Sequence, residues 1–316
     1  MEKIRVGVIG VGAMGKHHVR IYHGMRDVEL VGVADSNERT ANEIAAEYHT
    51  EAFTDCEQLL NKKDLDAVSI AVPTSLHKEI ARKAAQYGVH MLVEKPIADS
   101  LSNAVAIIDA ARRENLKLMI GHIERFNPAI LKLKELIAAG ELGQVLSISC
   151  RRVGPYAPRI RDVGIITDLA VHDIDTISYL YGKRAMQVYS IAGNSFHVQE
   201  DYASILLKYD DKRSGTVETN WLTPYKMRTL TATGTGGVAS VDYLEQSLEL
   251  WKEEGRISVE IEKGEPLKIE LAQFVAAVSN GKEPSPLGEE GEYVLSVAIA
   301  AIESYKNGNN VRLNAA

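Results

Sequence analysis

The sequence predicts an α/β chain: a doubly wound parallel sheet first, then a C-terminal α+β domain with an open, mainly antiparallel sheet. Three observations predict it. Apolar strands alternate with helices up to about residue 121, a glycine-patterned turn follows the first strand, and strand-like segments with turn signals crowd Met186 to Ile261. The 316 residues suffice for two domains, expected as 1–121 and 122–316, and 45% apolar with 25% charged residues is an ordinary globular composition. A net charge of −7 argues against a general nucleic-acid binder. No apolar run approaches a membrane span, and the chain enters its first strand directly, so a cytoplasmic protein without membrane or nucleic-acid partners is expected. Cys56 and Cys150 lie far apart in no metal-like spacing and read as small apolar residues in a reducing compartment.

Ile4 to Ile9 is β-rich and runs into Gly10-Val11-Gly12-Ala13-Met14-Gly15, a G-x-G-x-x-G turn that opens a helix at Lys16. Gly10 permits the tight turn, Gly12 lets the backbone approach a pyrophosphate, and Gly15 allows close helix–strand packing. Unpaired N–H groups at the helix start then receive the phosphate charge. A second strand, Val28 to Ala34, ends at Asp35, an acidic residue placed to bind the ribose hydroxyls. Gly10, Gly12, Ala13, Met14, Gly15 and Asp35 are therefore predicted to bind a dinucleotide in a Rossmann domain. Asp35 favours NAD, because its carboxylate repels a 2′-phosphate. Arg39 nearby softens that preference and keeps NADP possible, although a solvated helix arginine is the simpler reading.

The alternation continues with a helix over Thr40–Tyr48, a short strand at Ala52–Phe53, a short helix over Cys56–Leu60, and the apolar strand Asp66 to Val72. Pro73 stops that strand, and Thr74 or Ser75 can cap the next helix, which carries His77 in its first turn. A strand end of this kind lies beside the cofactor, so Pro73, Thr74 and His77 are candidate contacts; a lone histidine is otherwise a surface residue. The next strand, Val89 to Val93, halts at Glu94-Lys95-Pro96. Glutamate and lysine are rarely buried without a partner or a use, proline ends the ladder, and the Lys-Pro bond can be cis. Ligands collect outside the carboxyl ends of such strands. The plain reading of this tripeptide alone is a strand end with a solvated ion pair.

The order of these segments resembles one family: the glucose–fructose oxidoreductase / inositol dehydrogenase / rhizopine-catabolism family of nicotinamide-dependent sugar oxidoreductases. The glycine turn is widespread, whereas Glu94-Lys95-Pro96 at this place is far more specific. Gly121 to Pro128 and Asp168-Leu169-Ala170-Val171-His172-Asp173 also match. The resemblance spans essentially the whole chain. It implies that Lys95 reaches the nicotinamide and the reacting hydroxyl, with Glu94 positioning it or only capping the strand.

Beyond Gly121 the βα alternation ceases. Asn127 caps and Pro128 starts a helix whose Ile130, Leu133, Leu136 and Ile137 share a face. A helix over Thr167–Tyr181 places Asp168, His172 and Asp175 together at i, i+4 and i+7. A carboxylate holding an imidazole orients a general base. A stabilising helix pair and a metal site are the other readings of these three residues. The resemblance selects catalysis, with His172 as base, Asp168 orienting it, and no metal.

Arg125, Arg151, Arg152, Arg159 and Arg161 are more basic residues than a plain polyol needs, and Arg125, Arg152 and Arg161, with His172, are the expected substrate contacts. Singly, each reads as surface charge. As a set they favour an anionic ligand, and the segments Arg125 to Pro128, Arg151 to Pro155 and Asp168 to Asp175 look most like the UDP-N-acetylglucosamine dehydrogenase branch, which oxidises carbon 3. The expected substrate is a nucleotide sugar, with a free polyol such as myo-inositol second. A non-catalytic nicotinamide-nucleotide sensor is a third possibility, against which Lys95, Asp168 and His172 argue. The family's C-terminal sheet implies a homodimer or homotetramer.

Overall fold

The computed structural model describes residues 3–156, 163–209 and 212–313. The chain divides into two compact units, Met1–His122 with Leu267–Glu292, and Ile123–Pro266 with Tyr293–Ala316. A single boundary near residue 121 therefore does not describe it, because the helix Pro266–Asn280 and the loop after it belong to the first unit. The physical tie is local: Ile120 donates its N–H to the Pro286 carbonyl at 3.1 Å, and Lys117 pairs with Glu283.

In the first unit, strands β1 (Ile4–Ile9), β2 (Val28–Ala34), β3 (Ala52–Phe53), β4 (Ala67–Ile70), β5 (His90–Glu94) and β6 (Leu118–Gly121) form one parallel sheet. Its order, β3–β2–β1–β4–β5–β6, is that of a doubly wound fold, whose crevice opens where the order reverses beside β1. Strands β1, β2, β4, β5 and β6 are buried throughout their carboxyl halves, consistent with helices on both faces, while the edge strand β3 is half-buried. Those helices are α1 (Gly15–Gly24), α2 (Glu38–Glu47), α3 (Cys56–Leu60), α4 (His77–Gln86) and α5 (Leu101–Arg113). Neither Thr74 nor Ser75 caps α4. A 3-10 turn over Thr74–Leu76 carries the chain into it, and Leu76 at the cap position supplies no side-chain bond.

In the second unit Asn127 caps α6 (Pro128–Ala138) by accepting the Ala129 N–H at 3.1 Å, with Pro128 in the first turn as expected. A nine-stranded sheet follows. Its strands are β7 (Val145–Pro155), β8 (Gln187–Gly193), β9 (Tyr202–Lys208), β10 (Ser214–Asn220), β11 (Leu222–Gly234), β12 (Gly237–Asp242), β13 (Ser247–Lys252), β14 (Gly255–Val259) and β15 (Val311–Arg312). Only the β7–β10 pair is parallel; every other pair is antiparallel. The expected turn at Asp210–Asp211 lies outside the described residues. Strict alternation along β9 buries Ala203, Ile205 and Leu207 and exposes Tyr202, Ser204 and Leu206. The buried face packs with α6, α7 (Val171–Tyr181) and the helix Gly288–Asn307 in one apolar core. Among the described residues no helix is long and apolar enough to cross a membrane.

Candidate active site

The first unit builds its part of the site from main chain. Gly10 has φ +83°, a conformation that favours glycine, and a Cβ on Gly15 would lie 1.8 Å from the Gly10 carbonyl oxygen. A Cβ on Gly12 would meet nothing within 4 Å, so the loop is open where a pyrophosphate approaches. Gly12 and Ala13 are exposed, and Met14 caps α1 without a side-chain bond; the Lys16 and His17 N–H groups bond the Gly12 and Met14 carbonyls, so an anion here would meet the main chain of the exposed loop before them. Asp35 Oδ2 accepts from the Val11 N–H and Oδ1 from the Asn37 N–H, both at 2.9 Å, which ties the ribose-binding position to the glycine loop. Arg39 is exposed and donates to Glu43 at 2.7 Å, so it behaves as a solvated helix arginine. These features fit a dinucleotide.

Pro73 is exposed and Thr74 half-buried on the 3-10 turn that follows β4. His77 differs from its expectation as a surface or contact residue. It is fully buried, with Nε2 3.0 Å from the Val72 carbonyl and Nδ1 3.0 Å from the Pro96 carbonyl, so its ring fastens the loop after β4 to the loop after β5. Burial pushes the imidazolium below its ordinary pKa, although the Val72, Ile97 and Pro96 carbonyls and the Glu94 charge oppose this.

Glu94 is also buried. Its Oε1 lies 2.9 Å from His18 Nε2, and its Oε2 accepts the Lys95 N–H at 3.3 Å. Burial alone raises a carboxyl pKa. Here the His18 hydrogen bond and charge, with Lys95 and His77, outweigh it and hold Glu94 below the usual carboxylate range. Lys95 is half-buried and joined to Pro96 by a cis bond. His18 is the residue that the sequence reading missed here. Its only signal was a histidine on the same helical face as Tyr22.

In the second unit, the expected continuous α-helix from Thr167 is broken at its start. Ile166–Ala170 is a π-helical turn, and α7 begins at Val171. π turns are rare and concentrate at functional sites. This one carries Asp168 and leads directly into His172, both half-buried. Glu200 holds its beginning, accepting the Ile166 N–H at 3.3 Å on its carboxylate and the Ile165 N–H at 3.0 Å on its carbonyl. A Cβ at Gly164 would come within 2.1 Å of that carboxylate, which would then have to shift.

The arginines correct the sequence reading. Arg125 is buried and chelates Asp175 through Nε and Nη2 at 2.8 and 2.6 Å. Arg152 is 2% exposed, contacts Asp173 from Nε and Nη2 at 2.9–3.1 Å, and donates to Glu124 at 2.6 Å. Burial opposes the Arg152 charge, but Asp173 and Glu124 hold it firmly protonated. Both guanidinium groups are thus neutralised inside the unit, because a desolvated cation requires an anion at its side. Asp175 is correspondingly committed to Arg125. Arg151 is exposed and pairs with Glu218, while Arg159 and Arg161 lie outside the described residues. Arg228 on β11 was not singled out in the sequence. It is partly exposed, 3.5 Å from Glu124, and its charge is opposed by burial and Arg152 and supported by Glu124, Asp173 and Asp168.

Known proteins match along both units. The family model described as "Oxidoreductase family, NAD-binding Rossmann fold" matches residues 4–122, and the GFO/IDH/MocA C-terminal domain matches 130–240. The chain belongs to the GFO/IDH/MocA family. Its first unit is an NAD-binding Rossmann domain, and the protein is an NAD-dependent oxidoreductase. UDP-N-acetylglucosamine 3-dehydrogenase of Acidithiobacillus ferrooxidans is 31% identical, over 96% of this chain and 99% of that protein. A solved structure of that enzyme superposes with a TM-score of 0.91 over 97% of this chain and 99% of the other, at the same 31% identity. The scyllo-inositol 2-dehydrogenase (NAD(+)) of Bacillus subtilis is 28% identical, over 99% of this chain and 97% of its own length.

Proposed function

We propose that this family member oxidises a secondary hydroxyl of a nucleotide sugar, UDP-N-acetylglucosamine at carbon 3, using NAD in the cytoplasm. The observation that carries the substrate is the near-full-length match to an enzyme of that activity. His172 removes the hydroxyl proton, with Asp168 orienting its ring. The bound nicotinamide supplies the hydride acceptor. Lys95 donates a hydrogen bond to the reacting oxygen and stabilises the alkoxide charge that develops there. The glycine loop, Asp35 and the strand-end residues Pro73, Thr74 and Glu94 hold the cofactor and aim Lys95.

A free polyol such as myo-inositol is the second reading, and a specific observation favours it: Arg125 and Arg152 already carry internal carboxylate partners, which removes them from an anion grip. Absorbance of reduced nicotinamide, after mixing protein and NAD with UDP-N-acetylglucosamine, myo-inositol or glucose, separates the two. A signal with the nucleotide sugar alone supports the first reading, and one with a polyol alone replaces it. Silence from a protein that binds NAD turns the reading toward a sensor.

The same proposal includes a homodimer or homotetramer through the outer face of the nine-stranded sheet, where Tyr189, Ile191, Tyr202 and Leu206 are exposed. Light scattering of Ile191→Lys and Leu206→Glu tests it: dissociation supports this face as the contact, and an unchanged mass removes it.

A further inference from the structure

His18 lies in the helix that begins at Gly15, and its side chain has no exposed surface. Its Nε2 is 2.9 Å from Glu94 Oε1. The other Glu94 oxygen accepts the Lys95 N–H, and the carboxyl sits close against Gly121, where an added Cβ would come within 3.1 Å of it. Behind this pair Tyr22, four residues along the same helix, bonds Ser69 of β4 through its hydroxyl at 2.8 Å. A buried polar cluster of this kind is costly unless its members satisfy one another. Nothing assigned to the reaction so far requires His18.

We propose that His18 is a positioning residue for Lys95: it clamps Glu94 at the end of β5, and Glu94 in turn fixes the main chain from which Lys95 projects. The inference rests on the reading that Lys95 serves the hydroxyl oxidation. Its physical content is a rigid link from the helix that receives the cofactor's phosphates, through an imidazole and a carboxylate, to the cation beside the reacting oxygen. A supporting group that holds a reacting one within a fraction of an ångström is worth roughly 10- to 100-fold in rate. The titratable groups facing the pair are Tyr22 on α1, His77 on α4, Lys95 on the strand-end loop and Glu270 on the helix Pro266–Asn280.

The test compares wild type with His18→Gln, which keeps an N–H donor in place of the ring, and with Glu94→Gln, which addresses the pair from the other side. On the active substrate of the panel above, kcat of His18→Gln should fall about 10-fold. NADH affinity should stay within about 3-fold, since His18 does not line the glycine loop's open side. The acid limb of its kcat–pH profile should move to higher pH, because Glu94 loses the partner that keeps it ionised. A merely architectural histidine would lower folded yield and melting temperature while leaving kcat per folded molecule and the profile unchanged, and that result overturns the proposal. Acylation of the Lys95 amine, followed by peptide mass spectrometry without substrate, keeps the two readings apart. It should change several-fold in both variants relative to wild type even if no panel substrate reacts. Equal labelling in all three proteins overturns the link by itself, whereas silent turnover with altered labelling overturns only the substrate reading.

Discussion

The two units handle buried charge in opposite ways. In the first, the main chain makes most of the site, and the buried pair His18–Glu94 stands behind one half-buried lysine. In the second, three arginines meet three carboxyl groups: Arg125 with Asp175, Arg152 with Asp173 and Glu124, and Arg228 beside Glu124. The contrast teaches that arginine abundance near a catalytic motif is a weak guide to an anionic ligand. Desolvated guanidinium groups are retained only with internal anions, and these have them.

The comparison breaks most visibly at Arg152. Arg152→Ala leaves Asp173 buried without its cation, and Glu124 with Arg228 alone, and should cost about 3–5 kcal/mol, read by urea unfolding. A stability loss below about 1 kcal/mol would return Arg152 to the substrate side. Lys95→Ala and His172→Ala should behave in the reverse manner. Turnover falls by roughly 100-fold or more while unfolding curves barely move. Wild-type rates in both variants would sink their catalytic assignment. Asp35→Ala removes a charged acceptor from the glycine loop and the ribose position. NADH binding, followed by fluorescence, should weaken by about 10-fold, and NADPH binding should weaken less. An unchanged NADH to NADPH preference would detach Asp35 from cofactor choice.

The smallest effect is on acid stability. Glu94 is held below its ordinary pKa, so the unfolded chain binds more protons as pH falls through the carboxylate range. The stabilising contribution is present above that range and is lost as pH drops through the lowered folded value. His77, lowered by burial, acts in the same direction beginning at the ordinary histidine range. Glu94→Gln should therefore flatten the acid side of a melting temperature–pH curve; an unaltered slope contradicts the assignment.

Legibility followed sequence distance. The glycine turn, Asp35 and Glu94-Lys95-Pro96 are contiguous signals with a backbone cause, and the doubly wound parallel sheet follows from the βα alternation. His77 was visible as a residue of interest, but its carbonyl partners at Pro96 and Ile97 lie about a helix and a strand away. Arg125 and Asp175 are 50 residues apart, Arg152 and Asp173 21 apart, and no local pattern pairs them. The π turn at Ile166–Ala170 is equally silent, since its apolar spacing also suits an α-helix. His18 sat in plain view on an apolar helix face, where a polar side chain signals a buried partner.

The return of Pro266–Asn280 to the first unit gives the ribosome a timing problem. At about 5–20 residues per second, the stretch 123–266 keeps the helix from the strands it joins for on the order of ten seconds. During that interval the nascent nucleotide-binding sheet lacks the edge contact that Ile120 makes with Pro286. A gene fragment ending at residue 122 inherits the same gap permanently, and so do fusions that borrow the Rossmann part alone. A circular permutant opened before Leu267 places residues 267–292 ahead of the first strand, so all of this unit is made before 123–266.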